Sequence, residues 1–122
     1  MRVWVGIGIL VVLVIAIASI IFSGQRKRDD IIFQNNLTTY RSALRTGTSR
    51  SQVEDYLRQQ GTDFTQGCGE SQAHCDRVNL GEEPRNLFCQ PWTVYADFQY
   101  EGSDSGSEHL TSIDLHREGV CF

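Results

Sequence analysis

The sequence predicts an α+β protein: an N-terminal transmembrane helix, then a two-helix hairpin packed on a four-stranded antiparallel sheet. Three observations carry that reading. An uncharged run extends from Val3 to Phe22; apolar residues recur at three- and four-residue spacings from Phe33 to Leu57; and strict alternation of apolar and polar residues runs from Trp92 to Glu101.

The first run holds 20 residues without Asp, Glu, Lys or Arg. At about 1.5 Å per helical residue it matches a hydrocarbon core of roughly 30 Å. Fourteen of its residues are Val, Ile, Leu or Phe, each favouring insertion by about 0.3 to 0.6 kcal/mol. Residues 1–23 are therefore expected to be a membrane anchor of the signal-anchor kind. A cleaved signal peptide, with Ala16-Ile17-Ala18 as the small-x-small site, is the alternative. Against cleavage, the apolar run continues to Phe22, and the basic stop Arg26-Lys27-Arg28 follows only after it. Those three basic residues are candidates for contact with anionic lipid head groups.

Residues 24–45 form the juxtamembrane segment and first helix. Phe33, Leu37, Tyr40 and Leu44 share one helix face, and Asp29 and Asp30 suit an amino-terminal dipole at its start. Thr46-Gly47-Thr48 breaks the helix, with Gly47 as its cap. Residues 46–122 carry the second helix and the sheet of the same domain. Ser49-Arg50-Ser51-Gln52 fits a capping box, Val53, Tyr56 and Leu57 form the buried face, Glu54 and Arg58 make an i,i+4 pair, and Gly61 ends the helix.

Beyond Gly61 two short strands are expected near Thr62–Gln66 and Asp76–Leu80. The third, from Trp92, turns Val94, Ala96, Phe98 and Tyr100 inward. The fourth, Leu110–Arg117, turns Ile113 and Leu115 inward, and Glu101–Glu108 is a polar hairpin loop between them. Glu82-Glu83 falls in a turn, where solvation accounts for both charges. His109 and His116, seven residues apart, should face opposite sides of one continuous strand.

The segment Leu44-Arg45-Thr46-Gly47-Thr48-Ser49-Arg50-Ser51-Gln52-Val53, followed by Leu57 and Gly61, resembles the SmpA/OmlA (BamE) proteins and the related β-lactamase-inhibitor-protein-like fold. Those small extracytoplasmic domains carry a similar turn between two helices ahead of an antiparallel sheet. The resemblance implies a binding module without catalysis. The chain lacks that family's lipidation cysteine and adds four cysteines that its pattern does not require.

Cys68, Cys75, Cys89 and Cys121 form an even set without a C-x-x-C pair, as in an oxidising compartment. Four cysteines allow three pairings; Cys68 with Cys75 and Cys89 with Cys121 join segments that a meander brings close. The rival is a metal site from Cys68, His74, Cys75 and Cys89, whose spacing does not match structural zinc. The basic residues after the apolar run place the domain in the cytoplasm by the positive-inside rule, whereas the cysteines place it outside. The cysteines carry more weight, because Asp29 and Asp30 dilute the basic cluster.

Residues 62–122 hold 11 acidic and three basic side chains, which excludes nucleic acid as a partner on charge. No nucleophile and base motif, phosphate loop, cofactor or small-molecule site is legible. Thr93 and Tyr95, on the sheet face away from the helices, are the candidate partner contact, since a rigid aromatic suits a protein interface. The expectation is a periplasmic, membrane-anchored module binding an envelope protein. The alternative is a cytoplasm-facing thiol- or metal-sensing domain.

Overall fold

The computed structural model describes residues 2–85, 88–104 and 106–122. Two helices precede four strands: α1 (Arg2–Ala43), α2 (Arg50–Gln59), β1 (Thr65–Gln66), β2 (Cys75–Glu83), β3 (Trp92–Glu101) and β4 (His109–Glu118). The chain divides into two compact units, Met1–Ile31 and Ile32–Phe122.

In the first unit the apolar side chains from Ile7 to Phe22 are all exposed, on every side of the helix. A helix apolar all round suits lipid rather than a one-sided protein core, and this one is long and apolar enough to cross a membrane. Ser19 and Ser23 satisfy their hydroxyls on the carbonyls of Ile15 and Ser19 (2.8 Å each), so neither leaves a polar group open. The helix does not restart at Asp29. It runs unbroken through Gly24 and the charged segment, so Asp29 and Asp30 lie in mid-helix and not at an amino-terminal dipole. A lone glycine costs only about 1 kcal/mol in a helix interior; no proline interrupts residues 23–30.

The second unit, the head, packs the later turns of α1 and all of α2 on one sheet face. The strands form an antiparallel meander in the order β1-β2-β3-β4. Leu37, Leu44, Val53 and Leu57 from the helices meet Val78, Ala96, Phe98, Tyr100, Leu110 and Ile113 from the strands, and the Tyr40 and Phe98 rings meet edge to face at 5.3 Å. Ser49 caps α2, accepting from the Gln52 N–H while Gln52 returns to the Ser49 N–H. Gly47, at φ 90°, is not the cap of α1, which has already ended at Ala43. It turns the chain so that its N–H reaches the Leu110 carbonyl at 2.8 Å.

Two irregularities shift the strand phase. The β2–β3 register slips between Asn79 and Gly81, where the Asn79 side chain accepts from the Gly81 N–H (2.8 Å). The glycine there holds φ 125°, a conformation that side-chain-bearing residues rarely adopt. The β3–β4 register slips at Thr111, so that Tyr100 opposes Leu110 while Gln99 opposes Ser112. That bulge overturns the expectation for the histidines: His109 opposes Glu101 and His116 opposes Tyr95, which places both on the outer face, six β3 positions apart.

Strand alternation also separates Glu82 from Glu83. Glu82 is exposed, but Glu83 is buried on the inner face, where it accepts from Arg85 and Arg117 at 3.1 Å each. Solvation therefore accounts for only one of the pair. At the open edge of β4, Arg41 donates from Nε (3.0 Å) and Nη2 (2.6 Å) to the Ile113 carbonyl, which blunts a strand edge that would otherwise invite pairing.

Phe98→Ala should remove about 3 to 5 kcal/mol of head stability, since the ring is fully buried in the core with Tyr40 of α1 against its edge. Denaturant unfolding of the full chain in detergent, followed by near-ultraviolet circular dichroism, measures it. A loss below about 1 kcal/mol would mean that the inner face is not packed as described.

Candidate functional site

Charged side chains occupy both faces of the sheet in adjacent positions of β2. Asp76 points inward and Arg77 outward, as strand alternation requires. Each is the centre of a cluster.

The inner cluster is built around Arg50, the first residue of α2. Its guanidinium reaches Asp76 from Nη2 (2.6 Å) and Nε (3.3 Å), Glu108 from Nη1 (2.9 Å), and the carbonyls of Ala73 (3.2 Å) and Cys75 (3.4 Å). The Tyr100 hydroxyl donates to Asp76 at 2.8 Å, and the Tyr100 ring lies 5.0 Å under the guanidinium. Glu54, one turn along α2, lies 3.3 Å from Arg50 and accepts from Arg58 and Gln66 at 3.0 Å each. His74 Nδ1 closes on the second oxygen of Glu108. Asp76 has no exposed surface and Glu108 only 3%, so the polar hairpin loop expected over Glu101–Glu108 is anchored at its last residue. Ser105, in the same segment, lies outside the described residues.

Burial opposes the ionised forms here, and the partners oppose burial. Burial works to lower the Arg50 pKa, but the hydrogen bonds and charges of Asp76 and Glu108 carry it above its ordinary value. Burial lifts Asp76 above the usual carboxylate range, with Arg50 and Tyr100 pulling it back. For Glu108, burial is overcome by hydrogen bonds from Arg50 and His74, and the pKa falls below 4.5. Burial, then the charge of Asp76 and the hydrogen bond to it, push the Tyr100 hydroxyl well above its usual value.

A guanidinium has five N–H donors, and Asp76, Glu108, Ala73 and Cys75 account for all of them. Arg50 therefore has none left for an anionic ligand. The open depression beside it, lined by Arg50, Ser51, Glu54, Gln66, Gly67 and Ala73, borders a structural brace between α2, β2 and the start of β4.

The outer cluster holds the sequence-level candidates. Arg77 donates in bidentate fashion to Asp97 (Nε 2.7 Å, Nη2 2.8 Å) and from Nη1 to Glu118 (2.6 Å). The Asp97 hydrogen bond, against burial and with the help of Glu118, holds its pKa above the ordinary value. Its guanidinium lies 4.7 Å over the Tyr95 ring. Thr93 and Tyr95 are half-buried, and Tyr95 borders a shallow depression of about 460 Å³ with Phe64, Thr65, Gly69, Arg77 and Asn79. No helix covers this face among the described residues, but the loop from Gly67 to His74 folds over part of it.

The four cysteines stand in two pairs at disulfide distance, Cys68 with Cys75 and Cys89 with Cys121. The first pair fastens the Gly67–His74 loop to β2, with Asp97 within 4.8 Å of both sulfurs. Cys68, His74, Cys75 and Cys89 are not brought together as a metal set: Cys89 pairs with Cys121, and His74 turns to Glu108. Arg26, Lys27 and Arg28 are exposed on α1.

Sequence reasoning missed Arg50, read there only as a capping-box residue. The available signal was Asp76, a carboxylate in phase with the inward Val78, which demands a buried cation. Comparison with protein-family models, curated protein sequences and solved structures finds no match to this chain.

Arg50→Ala should destabilise the head by about 3 to 5 kcal/mol, because it leaves buried carboxylates uncompensated; chemical denaturation measures the loss. Because the Glu108 pKa is lowered on folding, its contribution is present above about pH 4.5 and is lost as pH falls through the lower folded value. Glu108→Gln should therefore flatten the acid limb of the stability curve; an unchanged slope between pH 5 and about 2 would contradict the assignment.

Proposed function

We propose that this chain is a single-pass membrane protein that holds a disulfide-stapled head outside the cytoplasm and acts, without catalysis or cofactor, by binding another envelope protein. The observation that carries the reading is the combination of a lipid-compatible helix, exposed on all sides from Ile7 to Phe22, with four cysteines that stand as two close pairs. Thiols are kept reduced in most cytoplasms, so paired cysteines favour the periplasm or a similar space. The BamE-like resemblance supports the same class of role, a small envelope module.

The binding face is the outer sheet surface around Thr93 and Tyr95. Its side chains are already ordered: Arg77 is fixed between Asp97 and Glu118 and stacks on Tyr95. A partner therefore meets a pre-organised surface and loses little side-chain freedom on it. Arg26, Lys27 and Arg28 would contact anionic head groups at the start of the tether, adding about 1 kcal/mol each near a charged leaflet.

Two measurements check the reading. Alkylation under denaturing conditions without reductant, followed by intact mass, should label no thiol, and four only after reduction; four labelled thiols at the outset would place the head in a reducing compartment. A photo-reactive residue replacing Tyr95 in intact cells should capture one discrete protein. Capture of none would remove the outer face as the contact.

A further inference from the structure

Three large apolar side chains at one end of the head keep most of their surface exposed. Phe88 is 71% exposed, Val120 57% and Phe122 87%. They come from two segments locked together by the Cys89–Cys121 pair, by the Phe122 N–H on the Phe88 carbonyl (2.9 Å) and by the Gln90 N–H on the Val120 carbonyl (3.0 Å). In that antiparallel pairing Phe88 opposes Phe122 and Gln90 opposes Val120, so alternation puts the three apolar side chains on one side and the cysteines on the other. A disulfide thus holds this exposed apolar area in place, and such area costs free energy in water.

The clasp lies at a defined end of the head. Phe33 lies beside Gly81, with a ring carbon 3.8 Å from where a Cβ would stand there, and Gly81 pairs with Val94 near the start of β3. Further along α1, Tyr40 meets Phe98. The helical part of the head therefore runs alongside β3 in the same direction, and Ile32, where the head begins, lies at the β3-start end. Phe88, Val120 and Phe122 lie past that start, on the same end. Ten positions separate Ile32 from Phe22, the last residue of the apolar run, a span of at most roughly 35 Å in any conformation.

We infer that Phe88, Val120 and Phe122 form a foot that seats the head on the lipid interface of the bilayer holding its own anchor. Aromatic and aliphatic side chains on a rigid, small support enter the boundary between head groups and acyl chains. The tether keeps the foot near that surface at high effective concentration, so three side chains suffice where a free protein would need many more. The inference rests on the membrane anchorage proposed above, and on neither its sidedness nor a protein partner.

The test uses the full chain reconstituted in phosphatidylcholine vesicles, with p-benzoylphenylalanine replacing Phe122 in one preparation and His109, at the opposite end of the sheet, in another. Flotation is read first: a chain that does not float with the vesicles overturns the anchorage, and the foot with it. In floated protein, irradiation should give lipid adducts by mass at position 122 at about five-fold or more the yield at position 109. Val120→Ser with Phe88→Ser should lower that yield while the chain still floats. Equal lipid yields at the two positions, or adducts at 122 chiefly to a second copy of the chain, would overturn the foot and leave the anchorage standing.

Discussion

The head depends on the largely buried guanidinium of Arg50. Arg50 sits where α2 begins, and the chain brings to it Asp76 from β2, Glu108 from the approach to β4 and Glu54 from its own next turn. None of these carboxylates is tolerable in the core alone, since an unpaired buried charge costs several kcal/mol. Together they make α2, β2 and β4 a single unit, because moving any one element strands a charge. Apolar packing supplies most of the attraction between helices and sheet; the ionic brace decides the register in which they meet.

Strand alternation then carries the same logic to the other face. Asp76 and Arg77 are neighbours in β2, yet one completes the inner brace and the other an outer one with Asp97 and Glu118. The Cys68–Cys75 pair fastens the Gly67–His74 loop above Asp97, which explains why an outward-facing carboxylate is buried. The outer face is consequently rigid and polar around a single stacked tyrosine, and exposed apolar side chains stand instead at the Cys89–Cys121 clasp, at Phe88, Val120 and Phe122. The head presents two different chemistries in two places, each held by a covalent staple and a fixed backbone.

Much of this architecture is legible from residue spacing. The Phe33, Leu37, Tyr40 and Leu44 stripe, the Ser49–Gln52 capping box and the alternation of β3 each specify their element locally. What stays hidden depends on partners distant in sequence. Glu108 reads as part of a polar loop because its cation lies 58 residues away, and Glu83 reads as a turn residue because one of its two arginines, Arg117, is 34 residues away and only the strand pairing brings it back. The facing of His109 and His116 fails for a different reason: a single bulge at Thr111 reverses the phase between them, and nothing in the local sequence announces it. The continuity of α1 through Gly24 is hidden for another reason: the apolar stripe that marks the head's helix starts only at Phe33, and neither Gly24 nor the charged residues after it prevent helical hydrogen bonding.

If Arg50 and Asp76 act as one unit, their removal cannot be additive. A double-mutant cycle with Arg50→Met and Asp76→Asn, read by denaturant unfolding of the full chain, measures this directly. The account predicts that the double variant is more stable than the sum of the single losses by at least about 1.5 kcal/mol. Losses that add to within about 0.5 kcal/mol would contradict the brace as the constraint that organises the head.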